Sequence, residues 1–355
     1  MKLSDFDYRL PPELVAQHPA ERRDGSRLLV LRRASGALEH RAFAELPELL
    51  SSGDLLVHND AKVVPARLLG RKVGTSGKVE LLLVRPAGGE GAGAALGREV
   101  GAFCWICLGQ ASKGLKPGAR VELEAGLSAE VLEARGGGEY LVRFSGAHAS
   151  LLDAIQRAGR LPLPPYIERP PTELDADRYQ TVYARSPGSV AAPTAGLHFT
   201  REVLDRLASR GVGRAEITLD VGPGTFLPVR TENVSAHRMH PERFHVPDSA
   251  AAAVNGASGR VVAVGTTVVR ALESAADPAT SQLRPGAGET RLFITPGFEF
   301  RQVDALLTNF HLPGSTLLML VCAFAGRERA LGAYREAVER RYRFYSYGDA
   351  MLVLP

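Results

Sequence analysis

The segment AAPTAGLHFT, residues 191–200, combines small residues with one histidine and a helix cap. Small residues such as Gly196 let a ligand approach the backbone closely. His198 carries a side chain that can titrate near neutral pH. Thr194 adds a hydroxyl, and the helix start after the segment offers free N–H groups that suit an anion. The segment therefore predicts a ligand-binding turn; the alternative is a tight strand-to-helix turn with a packing histidine.

The segment DVGPGTFLPV, residues 220–229, places glycines at the end of a predicted strand. Gly222 and Gly224 do not complete the glycine pattern of a dinucleotide-binding fold. A glycine-rich loop after a strand is still a suitable ligand cradle, with Thr225 supplying a hydroxyl. We interpret these three residues as ligand-binding.

The segment VGTTVVRALES, residues 264–274, leads from a predicted strand into a helix. Thr266 and Thr267 supply hydroxyls and N–H groups at the helix start, which suits an anionic ligand. Arg270 follows one turn later and can reach the same anion. The alternative is an ordinary capped helix with a solvated arginine.

Two further segments carry histidines. In HRMHPERFH, His240 and Glu242 suit acid–base or ligand-contact roles. We predict no metal site there, because the spacing is not that of a zinc-binding helix and no cysteine lies nearby. In TNFHLPGS, Asn309 and His311 crowd into a polar break before an apolar helix. Polar groups beside a buried helix must find partners, so they form either a site or a hydrogen-bonded corner.

The C-terminal segment REAVERRYRFYSYGDAM interleaves arginines with aromatic residues. Proteins hold unpaired bases and their phosphates with such residues. We therefore expect Arg340 and Arg341 to help bind RNA; the alternative is an amphipathic helix with arginines on its solvated face. By contrast, Cys104 and Cys107 lie within an apolar strand, and we interpret this pair as core residues.

Composition limits the class of protein. The chain has 355 residues, a net charge of +4 and a pI near 9.0, which suits a nucleic-acid ligand without requiring one. Three cysteines do not form a disulfide framework, so a reducing compartment is expected. The N-terminus does not have the pattern of a signal peptide, and no apolar run is long enough to span a bilayer. We expect a cytoplasmic protein without a membrane partner, and a monomer.

The elements that must position these segments fall into two groups. Residues 61–147 contain short β-rich runs separated by glycine and proline, which predict a small β-barrel or β-sandwich. Within them, residues 88–97 have the composition of a flexible surface loop. Residues 1–60 and 148–355 alternate strands with helices. We therefore predict a discontinuous, mixed-sheet α/β domain with an inserted small β-barrel domain.

Taken together, the segments resemble the S-adenosylmethionine:tRNA ribosyltransferase-isomerase family of queuosine biosynthesis. The matching blocks run nearly end to end and include FDYRLPPELVAQHPAERRDGSRLLVL, GDLLVHNDAKVVPARLLGRK, AAPTAGLHFT, VGPGTFLPV, HRMHPE, VGTTVVRALES, TNFHLPGSTLLMLVCAFAG and YRFYSYGDAM. Several such blocks in one order are specific, although no single block is. One departure stands at Asp220, where the family pattern has histidine.

The resemblance implies the reaction. S-adenosylmethionine donates its ribosyl part to 7-aminomethyl-7-deazaguanine at the wobble position of the tRNA anticodon loop, and adenine and methionine leave. The donor is a consumed substrate, so no cofactor is expected. The reaction needs a base with a pKa near neutrality, for which His198, His240 and His311 are the candidates. Asp349 or Glu242 would protonate the departing adenine, while Thr266, Thr267 and Arg270 would bind the methionine carboxylate.

Two other functions are compatible with parts of the sequence. A methyltransferase that uses S-adenosylmethionine would need a glycine-rich first strand–helix turn and an acidic residue after the next strand, and this pair is missing. A non-catalytic RNA-binding module would concentrate basic patches without buried histidines and glycine loops, whereas this chain has several such loops.

Overall fold

The computed structural model describes residues 1–222 and 231–355. Within these ranges the strands are β1 Arg27–Arg32, β2 Leu38–Ala42, β3 Leu55–Asn59, β4 Ala61–Val63, β5 Arg67–Lys72, β6 Lys78–Pro86, β7 Cys104–Ala111, β8 Arg120–Leu123, β9 Ser128–Gly136, β10 Glu139–Ser145, β11 Gly159–Arg160, β12 Ser186–Ser189, β13 Gly213–Asp220, β14 Glu242–Val246, β15 Val261–Val264, β16 Gly286–Thr290, β17 Ala305–Asn309 and β18 Ala350–Leu354. The helices are α1 Leu46–Leu49, α2 Ala92–Leu96, α3 Leu151–Ala158, α4 Glu173–Arg178, α5 Arg201–Ser209, α6 Asp248–Asn255, α7 Thr266–Ala275, α8 Thr316–Ala325 and α9 Arg327–Glu339.

The larger sheet is mixed and has the strand order β16-β14-β13-β3-β15-β17-β18-β1-β2. Strands β13, β3, β15 and β17 run parallel, while β18 is antiparallel to β17 and parallel to β1. The central strands read as continuous apolar runs because helices cover both faces. In β1, for example, Leu29 and Leu31 face α6 to α9, whereas Leu28 and Val30 face α1 and α5.

The second sheet closes on itself. Strands β5-β6-β7-β10-β9-β8 pair antiparallel in that order, and β8 pairs back to β5 to complete a six-stranded barrel. Alternate side chains such as Trp105 and Phe144 point inward and form one apolar cluster. The predicted fold class, a mixed-sheet α/β domain with a small β-barrel, is therefore confirmed.

The barrel core also includes side chains that lie beyond the predicted boundary at residue 147. Ile155 of α3 packs in that core, and β11 extends the barrel sheet from β5. The exact domain boundaries stay a prediction. The interpretation of residues 88–97 as a flexible surface loop was wrong, because they contain α2, whose Ala92, Ala95 and Leu96 are buried. The alanines allow close packing, and Gly93 lies against the carbonyl of Pro187.

In the part of the chain that the structure describes, no helix is both long and apolar enough to cross a membrane.

Candidate active site

A cavity lies at the carboxyl ends of the parallel strands β13, β15 and β17. Ligands commonly bind at this edge of an open α/β sheet, because the loops that follow the strands converge there. The cavity has a volume of about 220 Å³, many times the space that one water molecule needs. Its lining includes Tyr166, Thr194, Val221, Gly265, Thr266, Thr267, Thr308, Asn309, His311, Ser315, Tyr345 and Ser346.

The start of α7 forms one wall of this cavity. Gly265 precedes the helix with a φ of 98°, a conformation that residues with a Cβ rarely adopt. Thr266 and Thr267 occupy the first two helical positions, and both are buried against the cavity. The N–H groups of a first helical turn lack partners within the helix and carry partial positive charge. This wall is therefore suited to a carboxylate or a phosphate.

Asn309 forms a second wall, and its amide has a defined orientation. Its Nδ2 donates to the carbonyl of Tyr345 at 2.9 Å and approaches Nε2 of His198 at 3.1 Å. Both amide hydrogens are thus used. The Oδ1 atom is buried and has no hydrogen-bond partner among the described residues. Because Asn309 is 2% exposed and lines the cavity, this oxygen is an acceptor available to a ligand that donates a hydrogen bond.

His198 lies behind Asn309 and fixes that orientation. Its Nε2 accepts from Asn309, so Nδ1 carries the proton of the neutral ring and donates to Oγ of Ser26, 2.7 Å away. The ring also stacks on Phe43 with centroids 5.1 Å apart. Burial lowers the pKa of His198 to about 4. The ring is therefore neutral at pH 7 and holds the amide in place.

His311 lines the cavity itself. Its Nε2 lies 2.8 Å from Oγ1 of Thr308, and its main chain contacts the hydroxyls of Tyr8 and Tyr334. Burial lowers the pKa of His311 to about 3. The near-neutral pKa expected for the base is thus wrong for His198 and His311, because burial disfavours the charged imidazolium. A neutral imidazole of this kind can still accept a proton, but it is a weak base.

Of the three histidines that are candidates for the base, only His311 lines the cavity. His198 is separated from the cavity by Asn309, and His240 is exposed in an irregular segment before β14. Gly196 also lies outside the cavity lining, where it allows the hydroxyl of Tyr183 to pack against the backbone. His198, His240 and Gly196 belong to the sequence motifs predicted to form the site, but the fold places them away from the cavity lining.

Arg270 and Glu242 bind each other. Nη1 of Arg270 donates to Oε2 of Glu242, both residues are buried, and Nε of Arg270 donates to the carbonyl of Leu292. Neither residue lines the cavity. A buried charge needs a partner, and here each of these two side chains supplies it for the other. The geometry favours a structural ion pair that joins α7 to β14 over contact with the methionine carboxylate or with adenine.

Asp349 likewise has a structural environment. Its carboxylate accepts hydrogen bonds from the main chain and guanidinium of Arg27 and from the main chain of Arg343. It does not line the cavity. These contacts tie β1 to the segment before β18, which explains why a carboxylate is buried there.

The glycine loop after β13 is described only at its start. Gly222 follows Val221, which lines the cavity, whereas Gly224 and Thr225 lie outside the described residues. Asp220 accepts a hydrogen bond from the main chain of Ala92 at 3.1 Å. Burial raises the pKa of its carboxyl. Asp220 therefore contacts the barrel helix α2 rather than the cavity.

The aromatic residues of the C-terminal segment are mostly core residues, which corrects the expectation that they stack on RNA bases. Tyr334, Tyr342 and Phe344 are at most 1% exposed and pack around Phe310, the two tyrosines edge-to-face and Phe344 at a tilt of 43°. Arg340 and Arg341 are exposed, as an RNA contact would require. Among residues 1–222 and 231–355, no three potential ligands converge on a metal position. The expected lack of a metal stays a prediction.

The lining residues that the sequence did not predict include Tyr166, Tyr345 and Ser346. Tyr345 has a positive φ of 69°, which turns the chain so that its carbonyl meets Asn309. Ser346 binds the hydroxyl of Tyr166 at 2.5 Å, and both line the cavity. The pairs join residues up to 180 positions apart. The YSYG tetrapeptide with its turn-forming glycine was the only local signal for them.

Comparison with known proteins identifies the family. The profile of the family described as "Queuosine biosynthesis protein" matches residues 3–353. An S-adenosylmethionine:tRNA ribosyltransferase-isomerase from Anaeromyxobacter sp. (strain Fw109-5) is 58% identical over 99% of both chains. One from Citrifermentans bemidjiense is 53% identical over 99% of this chain and 100% of the relative. A crystal structure of S-adenosylmethionine tRNA ribosyltransferase from Thermotoga maritima is similar with a TM-score of 0.55 and 40% identity, covering 99% of this chain and 100% of that one. This chain belongs to the queuosine biosynthesis protein family.

Proposed function

We propose that this chain is an S-adenosylmethionine:tRNA ribosyltransferase-isomerase. It moves the ribosyl part of S-adenosylmethionine onto 7-aminomethyl-7-deazaguanine at the tRNA wobble position and forms epoxyqueuosine in tRNA. The observation that carries this proposal is the end-to-end similarity to relatives of that name, at 51–58% identity. The cavity at the sheet edge supports it, since it offers the kinds of group that the donor needs.

The α7 wall is the proposed site of the methionine carboxylate. Thr266 and Thr267 present hydroxyls and first-turn N–H groups to the cavity, and a helix N-terminus attracts an anion. Asn309 Oδ1 would accept a hydrogen bond from a donor group of the substrate, such as the ammonium or the adenine amine. Thr194 lies on the same lining and supplies a further hydroxyl.

His311 is the proposed base, because it alone of the three candidate histidines lines the cavity. The sulfonium of the donor acidifies the adjacent C-5′ protons, so removal of one gives an ylide. Loss of adenine, capture by the amine of the acceptor and ring closure with departure of methionine complete the reaction. A neutral imidazole with a pKa of about 3 is a weak base, and the acidity conferred by the sulfonium must compensate for it.

The acceptor, the location and the independence from cofactors are parts of the same proposal. The donor already carries its leaving groups, so the chemistry asks for no redox cofactor and no metal. A cytoplasmic location is supported by Cys104, Cys107 and Cys322, which are all free thiols. The monomeric state stays a prediction.

Isotopic labelling tests the reaction directly. The enzyme is incubated with tRNA carrying 7-aminomethyl-7-deazaguanine and with S-adenosylmethionine labelled in its ribose or in its methyl group. We expect the ribose label in tRNA, free adenine, and methionine that retains the methyl label. The same assay with a chelator should give the same rate.

The alternatives predict other products. A methyltransferase would place the methyl label in tRNA and release S-adenosylhomocysteine, and a binding module would consume no donor. Either result would refute the proposal. Loss of activity with chelator and recovery with zinc would show that the HRMHPERFH segment holds a metal.

A further inference from the structure

A crevice lined by three arginines lies on the outer side of the Asn309 wall. Its lining includes the side chains of Arg23, Arg178 and Arg343, together with His198 and Ser346. Its volume is about 20 Å³, which is too small to enclose a molecule the size of methionine. A ligand at this position would rest at the mouth of the crevice, on the protein surface.

The positive charge of this crevice is only partly neutralised. Arg178 donates to the carbonyls of Glu21 and Ala20, and Arg343 donates to those of His18 and Tyr347. Carbonyl oxygens satisfy N–H groups but carry no net charge. Across residues 1–222 and 231–355, neither Arg178 nor Arg343 has a carboxylate within salt-bridge distance, and each has further N–H groups beyond the two that donate.

Arg23 is the third cation. It donates to the carbonyl of Gln180 at 2.8 Å and pairs with Asp177 at 3.0 Å, a carboxylate whose side chain is 79% exposed. A pair with so exposed an anion is weak. Burial, together with the charges of Arg23 and Arg343, lowers the pKa of Arg178, and its Nε has no acceptor among the described residues. Three cations held this close favour the arrival of an anion.

The crevice and the donor cavity share a wall. Ser346 lines both, and His198 at the crevice contacts Asn309 at the cavity through a 3.1 Å hydrogen bond. The crevice therefore adjoins the cavity in which the proposed function places the substrates. Enzymes that modify a base take it out of its stack and hold the neighbouring backbone.

We propose that Arg178 and Arg343, assisted by Arg23, bind a phosphodiester of the tRNA backbone next to the nucleotide that is modified. The inference rests on the proposed function, which supplies the RNA substrate. Guanidinium groups match phosphate oxygens because several N–H donors lie in one plane. The methionine carboxylate is the less suitable anion, since it belongs to the donor inside the cavity and the α7 wall is placed to bind it there.

Salt dependence of RNA binding tests this assignment. Dissociation constants for tRNA carrying 7-aminomethyl-7-deazaguanine are measured between 50 and 300 mM salt for the wild type, Arg343→Gln and Arg343→Lys. Loss of one phosphate contact lowers the slope of log K against log salt by about 0.7 to 0.9 and weakens binding about fivefold near 0.15 M. We expect the lower slope and the weaker binding for Arg343→Gln. Arg343→Lys retains the charge and should keep most of the wild-type slope.

The controls separate charge from structure. Arg157→Gln removes an exposed arginine that pairs with Asp153 on α3, outside the crevice, and should leave the slope unchanged. Arg178→Gln repeats the test should Arg343→Gln unfold, as judged by thermal unfolding. Equal slopes for the wild type and folded Gln variants overturn the inference. So does a slope reduced equally by Gln and Lys, which indicates a merely structural role.

The labelling assay keeps the two proposals distinct. Ribosyl transfer by the wild type with an unchanged slope in the Gln variants would retain the function and reject the phosphate site. A reduced slope in a protein that transfers no ribose would retain the phosphate site and reject the function.

Discussion

The mixed sheet and the barrel differ in their histidine content. The sheet region buries His58, His198 and His311, each at most 8% exposed, whereas residues 61–147, which contain the barrel strands, have no histidine. The barrel closes on itself around apolar side chains, so its interior is packed and it does not present a carboxyl edge of parallel strands to a ligand. The parallel strands of the sheet end at such an edge. Groups that can do chemistry therefore accumulate at that edge, and burial makes them costly to protonate.

The largest expected difference between the two regions is their response to acid. Burial lowers the pKa of His58 to about 3, of His198 to about 4 and of His311 to about 3, against 6.5 for the free side chain. Because the folded pKa values are depressed, the contribution of these groups to stability is fully present above pH 6.5 and is lost as the pH falls from 6.5 towards 3. Each costs about 1.5–2 kcal/mol between pH 6.5 and 5, or about 5 kcal/mol together.

Two spectroscopic signals resolve this prediction. Trp105, the only tryptophan, lies in barrel strand β7, so its fluorescence reports on the barrel. On acid titration, circular dichroism of the helices that cover the sheet should change before the Trp105 emission shifts. Simultaneous transitions would show that the regions unfold together. In His58→Leu, the slope of the unfolding free energy against pH should decrease by the equivalent of about one proton. Both ring nitrogens of His58 lack partners within the described chain, so its protonation is opposed by burial. The exposed His18→Leu should behave as wild type.

The second prediction concerns the polar wall of the cavity. Asn309→Asp replaces the donor Nδ2 with a carboxylate oxygen, so the ionised side chain can no longer donate to the carbonyl of Tyr345 or to Nε2 of His198. We expect kcat/KM for ribosyl transfer to fall about 100-fold, equivalent to about 3 kcal/mol. The control Ser128→Ala removes a barrel hydroxyl that binds Ser145 and should retain wild-type activity. A folded Asn309→Asp enzyme of normal kcat/KM would contradict the placement of the site.

The smallest expected effect tests the packing of the barrel at the point where the chain leaves it. A Cβ on Gly159 would lie 1.9 Å from the carbonyl oxygen of Pro65 and 2.5 Å from that of Ile155, so backbone must shift. Gly159→Ala should therefore lower the free energy of unfolding by about 1–3 kcal/mol, measured in urea. Gly77→Ala adds a methyl group whose nearest atom lies 3.8 Å away and should be neutral. Equal stability of the two variants would show that the barrel tolerates a looser closure.

The interpretation from sequence was most accurate where a local pattern determines the outcome. Continuous apolar runs predicted the buried strands, and alternation between glycine or proline and short β runs predicted the barrel. It was least accurate for side chains that are neighbours in the sequence but lie in different environments in the fold. His240 and Glu242 stand two residues apart, yet His240 is exposed while Glu242 is buried against Arg270. A loop sequence does not indicate which of its side chains the rest of the fold will cover.

By itself, the sequence determined the fold class and the segments that follow the strands, because apolar periodicity and turn residues act over a few neighbours. The family came from the resemblance of several sequence blocks in one order. Only the tertiary structure decided which polar residues meet. Asn309 contacts His198 across 111 positions, and Asp349 binds Arg27 across 322. Such pairs depend on the order of strands in the sheet. That order arises from packing of the whole chain, since each buried charge or amide must find a partner wherever the strands bring one.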